Sequence, residues 1–169
     1  MTSEELKKIV HYDPETGVFT WVVPRYKAGR LVKVAGSYTT RRYRMICIGG
    51  RNYREHRLAW LYMTGDWPQN LIDHRNGVHD DNRFLNLREA TSVENGQNYA
   101  LPAHNKSGYL GVHFRKDIGK WRAKIKLNRK IINLGLFKTA EEASAAYLAA
   151  KAAMHPFQPV PRGMESDND

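Results

Sequence analysis

The sequence contains one cysteine, Cys47. That excludes an internal disulfide, and it excludes a zinc site built on four cysteines or on a cysteine pair with a histidine pair. No apolar run approaches the roughly 20 residues that a membrane-crossing helix needs. The opening MTSEELKKIV lacks the apolar core of a signal peptide, so a cytoplasmic location is expected. Acidic residues are scarce: 17 Asp and Glu stand against 27 Lys and Arg, a formal net charge of +10. Such an excess favours polyanionic partners, without choosing among DNA, RNA and anionic membrane. No convincing internal repeat is present.

The 169 residues, 41% of them hydrophobic, suffice for one ordinary domain or two small ones. The charge is uneven. Residues 1–70 carry 12 basic and 6 acidic residues, residues 71–100 carry 3 and 5, and residues 101–169 carry 12 and 6. A net acidic centre between two basic flanks suits a cation site held against a phosphate backbone.

The N-terminal third predicts a short helix over Ser3–Val10, a turn at Asp13-Pro14-Glu15-Thr16-Gly17 and a strand over Val18–Val23. A second strand is expected over Tyr43–Ile48, then a helix over Arg54–Met63 that stops at Thr64-Gly65-Asp66-Trp67-Pro68. In the centre, Leu71–His74 and Leu85–Arg88 read as short strands around an Asn76-Gly77 turn. Thr91-x-x-Glu94 reads as a capping box opening a helix with Asn95 and Asn98. Residues 101–108 read as a linker. Three strands (Tyr109–Arg115, Trp121–Leu127, Ile131–Phe137) then alternate apolar and polar residues, with reversals at Asp117-Ile118-Gly119 and Asn128-Arg129. Ile132, Leu134 and Leu136 are expected on one face. Thr139-x-x-Glu142 caps a last helix from Ala140 to about Met154, and residues 156–169 read as a disordered tail.

The chemistry concentrates in Ile72–Asn98. Asp73 sits beside His74, and Asn86 and Asn95 follow that histidine by 12 and 21 residues. Phosphodiester hydrolysis needs a base for water, a cation for developing charge, and placement of both. His74 is the natural base, because an unperturbed imidazole titrates near neutrality. Asp73 and Asn95 offer hard oxygen donors, which favour Mg²⁺ or Mn²⁺. Asn86 would hydrogen-bond and orient the His74 ring. Asp73 and His74 converge only if the strand ends or bends there, as Asn76-Gly77 allows. Asn98 competes with Asn95 for the metal. Asp81, Asn82 and Arg83 read as loop-forming, His79 as solvent-exposed, and His11, His56 and His155 as structural or surface residues.

Asp73-His74, Asn76-Gly77, Asp81-Asn82-Arg83, Asn86-Leu87-Arg88, Glu94-Asn95 and Asn98 together resemble the HNH endonucleases, closest to phage and intron-encoded homing-type members. Tyr12–Gly17 and His56–Trp60 resemble the N-terminal part of such phage proteins. The resemblance implies a ββα-metal finger with His74 as general base, Asp73 as metal ligand and Asn86 as central Asn. Asn95 stands where the family name expects histidine. Some homing-type members carry Asn there as a ligand, which gives an H-N-N variant.

Gly111-Val112, Gly119-Lys120-Trp121, Ala123-Lys124-Ile125, Leu134-Gly135-Leu136-Phe137 and Thr139–Tyr147 resemble the AP2 DNA-binding domain over residues 107–155. The sheet face carrying His113, Arg115, Lys120, Arg122, Lys124, Lys126 and Asn133 is then expected to meet double-stranded DNA. Arg or Lys can read guanine there, and Asn can read adenine.

The expected fold is α+β: an HNH module over residues 1–100, with a ββα-metal core at about 70–100. After the 101–108 linker comes an AP2-like three-stranded antiparallel sheet on one helix over 109–155. The expected protein is a monomeric, homing-type DNA endonuclease using one divalent cation, with no membrane partner and no small-molecule substrate. It would act in a bacterial cytoplasm if phage-encoded. The rivals are a DNA-binding regulator with an inactive nuclease module and an RNA-binding or structural protein.

Overall fold

A computed structural model of the chain describes residues 1–102, 104–158 and 160–161, without the Lys27 side chain. The chain divides into two units, Met1–Thr91 and a second beginning at Ser92. The expected module boundary at residue 100 lies later, so Asn95 and Asn98 fall in the second unit.

The first unit opens with α1 (Ser3–Lys7), started by a capping box in which Thr2 and Glu5 satisfy each other's backbone N–H. The helix is shorter than predicted, because Val10 already begins β1 (Val10–Asp13). β2 (Val18–Lys27) pairs with β1 on one side and with β3 (Arg30–Val34) on the other, all antiparallel. The strand was expected over Val18–Val23, and it is followed by Pro24, which has no N–H to donate. The strand instead continues past it, and the register with β3 shifts between Thr20 and Arg25. A second antiparallel sheet holds β4 (Ser37–Tyr38), β5 (Arg44–Ile48) and β6 (Arg51–Arg54). β6 leads directly into α2 (Glu55–Thr64). The last pair is β7 (Leu71–His74) with β8 (Leu87–Ala90).

Leu6, Val10, Tyr12, Phe19, Ile46, Leu58 and Leu61 form the buried core of this unit. Each such side chain contributes about 1.5–3 kcal/mol by leaving water. Gly17 has φ +72° and lies against the backbone of Asn82 and Arg83, where a side chain would collide. The turn predicted at Asp13–Gly17 therefore also braces the loop that follows β7.

In the second unit, α3 (Ser92–Asn95) has four residues. The helix expected to carry Asn95 and Asn98 ends at the first of them. β9 (Val112–Arg115), β10 (Lys120–Leu127) and β11 (Lys130–Phe137) form an antiparallel sheet with β10 central. α4 (Ala140–Met154) packs on all three strands, and its Thr139/Glu142 capping box is formed. Its core is small: Val112, Ala123 and Ala143, flanked by Tyr109, Trp121, Leu134 and Phe137. Gly111, at φ +70°, lets the Tyr147 ring and the Lys124 carbonyl come close enough to exclude any side chain there.

The segment read as a linker is structured in part. Asn105 Oδ1 accepts hydrogen bonds from Ser107 N, Ser107 Oγ and Gly108 N, and Asn105 Nδ2 donates to Tyr109 O. The segment read as a disordered tail is also structured at its start. Phe157 N donates to Gln97 Oε1 and Gln158 is buried. Residue 159 and residues 162–169 of that expectation lie outside the described residues. Lys151 is buried with its Nζ donating to Gln97 O, and burial lowers its pKa to about 8. Among the described residues no helix is long and apolar enough to cross a membrane.

Candidate active site

β7 places Asp73 directly opposite Arg88 of β8, and His74 opposite Leu87. Both Asp73 and His74 are buried. Adjacent strand residues face opposite ways, and here they have different surroundings. Asp73 Oδ2 accepts from Arg88 Nε (3.0 Å) and lies 2.9 Å from Arg88 Nη2. The His74 ring enters an aromatic cluster: His56 lies edge-on with centroids 5.1 Å apart, and Tyr43 lies 6.2 Å away. Tyr43 in turn stacks on His79 at 4.3 Å, with Arg54 over its ring. β7 ends at His74, and Gly77 N donates to His74 O to close the turn.

The loop from Arg75 to Arg83 is tightly built. Asn86 Oδ1 accepts from Asn76 N (3.0 Å), and Asn86 Nδ2 donates to Asp81 O (2.8 Å). Asp81 binds Asn76 Nδ2 and both arms of Arg83. Phe84 N donates to Pro14 O, and Tyr12 Oη donates to Asn82 O at 2.6 Å.

Asn86 therefore does not orient the His74 ring, contrary to expectation. Both ends of its carboxamide are spent on loop backbone. The side chain at the ring is Asn82, whose Oδ1 lies 3.1 Å from His74 Nε2. Asn82 is 1% exposed, and its Nδ2 donates to Glu55 Oε2 at 3.2 Å. Arg44 Nε donates to the same oxygen at 2.9 Å. Arg44, half-buried, thus joins the buried Glu55, Asn82 and His74 in one hydrogen-bonded chain. Asn82 stood within the recognised Asp-Asn-Arg run, but nothing in that run distinguishes a side chain that turns inward from one that shapes the loop. Glu55 carried no signal beyond a position beside His56.

Burial lowers the pKa of His74, against the raising influence of the Asn82 hydrogen bond. That shift favours the neutral ring, the form able to accept a proton. Burial, followed by the charges of His74 and Arg54, lowers His56 to about 3, so it stays neutral and takes no part in proton transfer near neutrality. Burial raises Glu55, opposed by Arg44 and Asn82.

The donors fit a hard divalent cation in kind. Asp73 is a buried carboxylate at a strand end, and the one cysteine, Cys47, is exposed. Among the described residues no three His, Cys, Asp or Glu side chains group as a metal-holding set, so carboxamide, backbone or substrate oxygens would have to complete any coordination. Asn95 is exposed at the end of α3, whereas Asn98, whose N–H bonds Asn95 O, is buried.

In the second unit the strand register puts the predicted basic residues on one face. Lys120 pairs with Arg115, Arg122 with His113, and Lys124 with Asn133, and Lys126 follows on the same side. Arg115 is tied by both arms to Asp117 in its own turn. The expected grouping of Ile132, Leu134 and Leu136 fails. Leu134 is an extra residue between the pairs Ala123–Gly135 and Lys124–Asn133. That bulge reverses the alternation, so Leu136 sits opposite Arg122 on the basic face, 49% exposed.

An HNH endonuclease family model matches residues 53–97, from β6 through β7, β8 and α3. A solved structure described as DNA binding and cleavage by the HNH homing endonuclease I-HmuI is similar at 25% identity and a TM-score of 0.40. The alignment covers 53% of this chain and 51% of that one, so this chain spans about half the length of that protein. No curated protein matches.

Proposed function

We propose that the chain is a metal-dependent DNA endonuclease of the homing type. The observation that carries this reading is a buried His74 directly following the buried Asp73 in sequence, at the end of β7 and within the segment that matches the HNH endonuclease model.

His74 accepts a proton from water as its oxygen attacks phosphorus. The ester P–O bond breaks and the leaving oxygen departs with the electron pair. Such general-base help is worth about 10²–10⁴-fold. Asp73 and Asn95 would hold a divalent cation, Mg²⁺ or Mn²⁺, which supplies positive charge for the negative charge that develops on the phosphate. The part of Asn95 rests on its place in the sequence pattern. Arg88 holds the Asp73 carboxylate in place, and Asn86 fixes the loop that follows His74.

The basic face of the β9–β10–β11 sheet, AP2-like in this reading, directs the nuclease to its target on double-stranded DNA. Its cations neutralise phosphates, while Asn133 and Arg122 have the donors and acceptors to address base edges.

Supercoiled plasmid carrying candidate sites, incubated with Mg²⁺ or Mn²⁺, should be nicked or linearised, and EDTA should abolish the reaction. DNA intact across metals and sites would favour the second reading, a DNA-binding protein with an inactive module. The commitment of Asp73 Oδ2 to Arg88 is the observation that favours that alternative.

A further inference from the structure

We propose that Asn82, locked by Glu55, sets the tautomer of His74, placing the ring proton on Nε2 and the reactive lone pair on Nδ1. This deepens the nuclease reading and rests on it only for its catalytic consequence.

Arg44 Nε–H can only donate, and it points at Glu55 Oε2. That oxygen is therefore an acceptor. The atom of Asn82 facing it at 3.2 Å must be the amide nitrogen, since the reverse orientation would oppose two oxygens in a buried site. The amide oxygen is then the atom 3.1 Å from His74 Nε2, and an oxygen without a proton requires a donor there. A neutral imidazole with its proton on Nε2 carries its lone pair on Nδ1.

The surroundings hold this order in place. Glu55 is fully buried, and Gly36 leaves room for its Oε1 where any side chain would collide. Arg44 is fixed further by donating from Nη2 to Ala35 O. The Asn82 backbone is anchored by Tyr12 Oη and crowded by Gly17. The His74 ring meets His56 edge-on. Asn82 and Glu55 are positioning residues, separate from the loop-fixing Asn86.

The test is nitrogen-15 NMR of the histidine rings in the metal-free, full-length protein at a pH where His74 is neutral, combined with cleavage kinetics. The wild type should show His74 with a protected Nε2–H and an unprotonated Nδ1. Asn82→Leu, close in size and without an amide, should lose the protected proton and lower kcat by about 10–100-fold with KM little changed, as loss of an orienting partner does. Glu55→Gln keeps an acceptor for both Arg44 and Asn82, so it should retain the signal and most of kcat; Glu55→Leu should not. An Nδ1–H tautomer in the wild type, or a folded Asn82→Leu with signal and kcat unchanged, would overturn the proposal. If the wild type cuts no DNA, the NMR result still decides it. If the wild type cuts while the tautomer is the opposite one, the proposal fails and the nuclease reading stands.

Discussion

Replacing Arg44 by leucine isolates the buried charge behind the candidate site. In the native protein the Glu55 side chain is fully inaccessible, the Arg44 side chain is 17% exposed, and the two meet at 2.9 Å. Removing one partner of a buried pair strands the other charge, at a cost of about 3–5 kcal/mol. Burial already raises the Glu55 carboxyl, and Arg44 and Asn82 oppose that rise. Without Arg44 the carboxyl rises further. A carboxyl raised by folding makes the native state bind more protons than the unfolded chain, so its contribution is present in acid and lost as pH climbs through the folded value. The deficit of Arg44→Leu should therefore be largest near pH 7 and shrink toward about pH 5. Adding Glu55→Gln removes the stranded charge and should recover most of the loss at pH 7. The assay is urea unfolding followed by tryptophan fluorescence, which reports the first unit through Trp21, Trp60 and Trp67. A loss below about 1 kcal/mol, the scale of an exposed pair, that is also equal at both pH values would refute the reasoning.

Two further outcomes test the second unit. Lys124→Ala with Lys126→Ala should weaken duplex DNA binding and reduce the salt slope of log K by about 0.9 for each phosphate contact removed, measured by titration at several salt concentrations; unchanged affinity and slope would mean that DNA meets another surface. Gly111→Ala drives a side chain into Tyr147 and the Lys124 carbonyl at a positive φ, and should cost about 1–3 kcal/mol in thermal or urea unfolding, whereas a stable variant would contradict that close approach.

Much of the local structure was legible because its signals are local. The Asn128-Arg129 reversal appears as two successive residues of positive φ joining β10 to β11. Thr139 and Glu142 cap α4 as their spacing predicts, and Gly65 ends α2 in a left-handed conformation. The strand end at Asp73-His74 followed from the Asn-Gly turn after it. What stayed hidden depended on contacts distant in sequence. The roles of Asn82 and Asn86 exchange because Tyr12, Glu55 and Gly17 determine which carboxamide turns inward, and all three lie at least 27 residues from Asn82. The facing of Leu136 turned on one extra residue in β11, and a period-two pattern cannot register a bulge. The β2–β3 pairing carried no local signal, and its register shifts between Thr20 and Arg25.

In the proposed reading His74 is the base of a metal-dependent nuclease. The most direct measurement compares single-turnover cleavage of a cognate duplex by the wild type and His74→Ala, with saturating Mg²⁺ or Mn²⁺ and with DNA binding measured alongside. His74→Ala should bind DNA as the wild type does and cleave it about 10²–10⁴-fold more slowly. A folded His74→Ala that cleaves at the wild-type rate would contradict that reading.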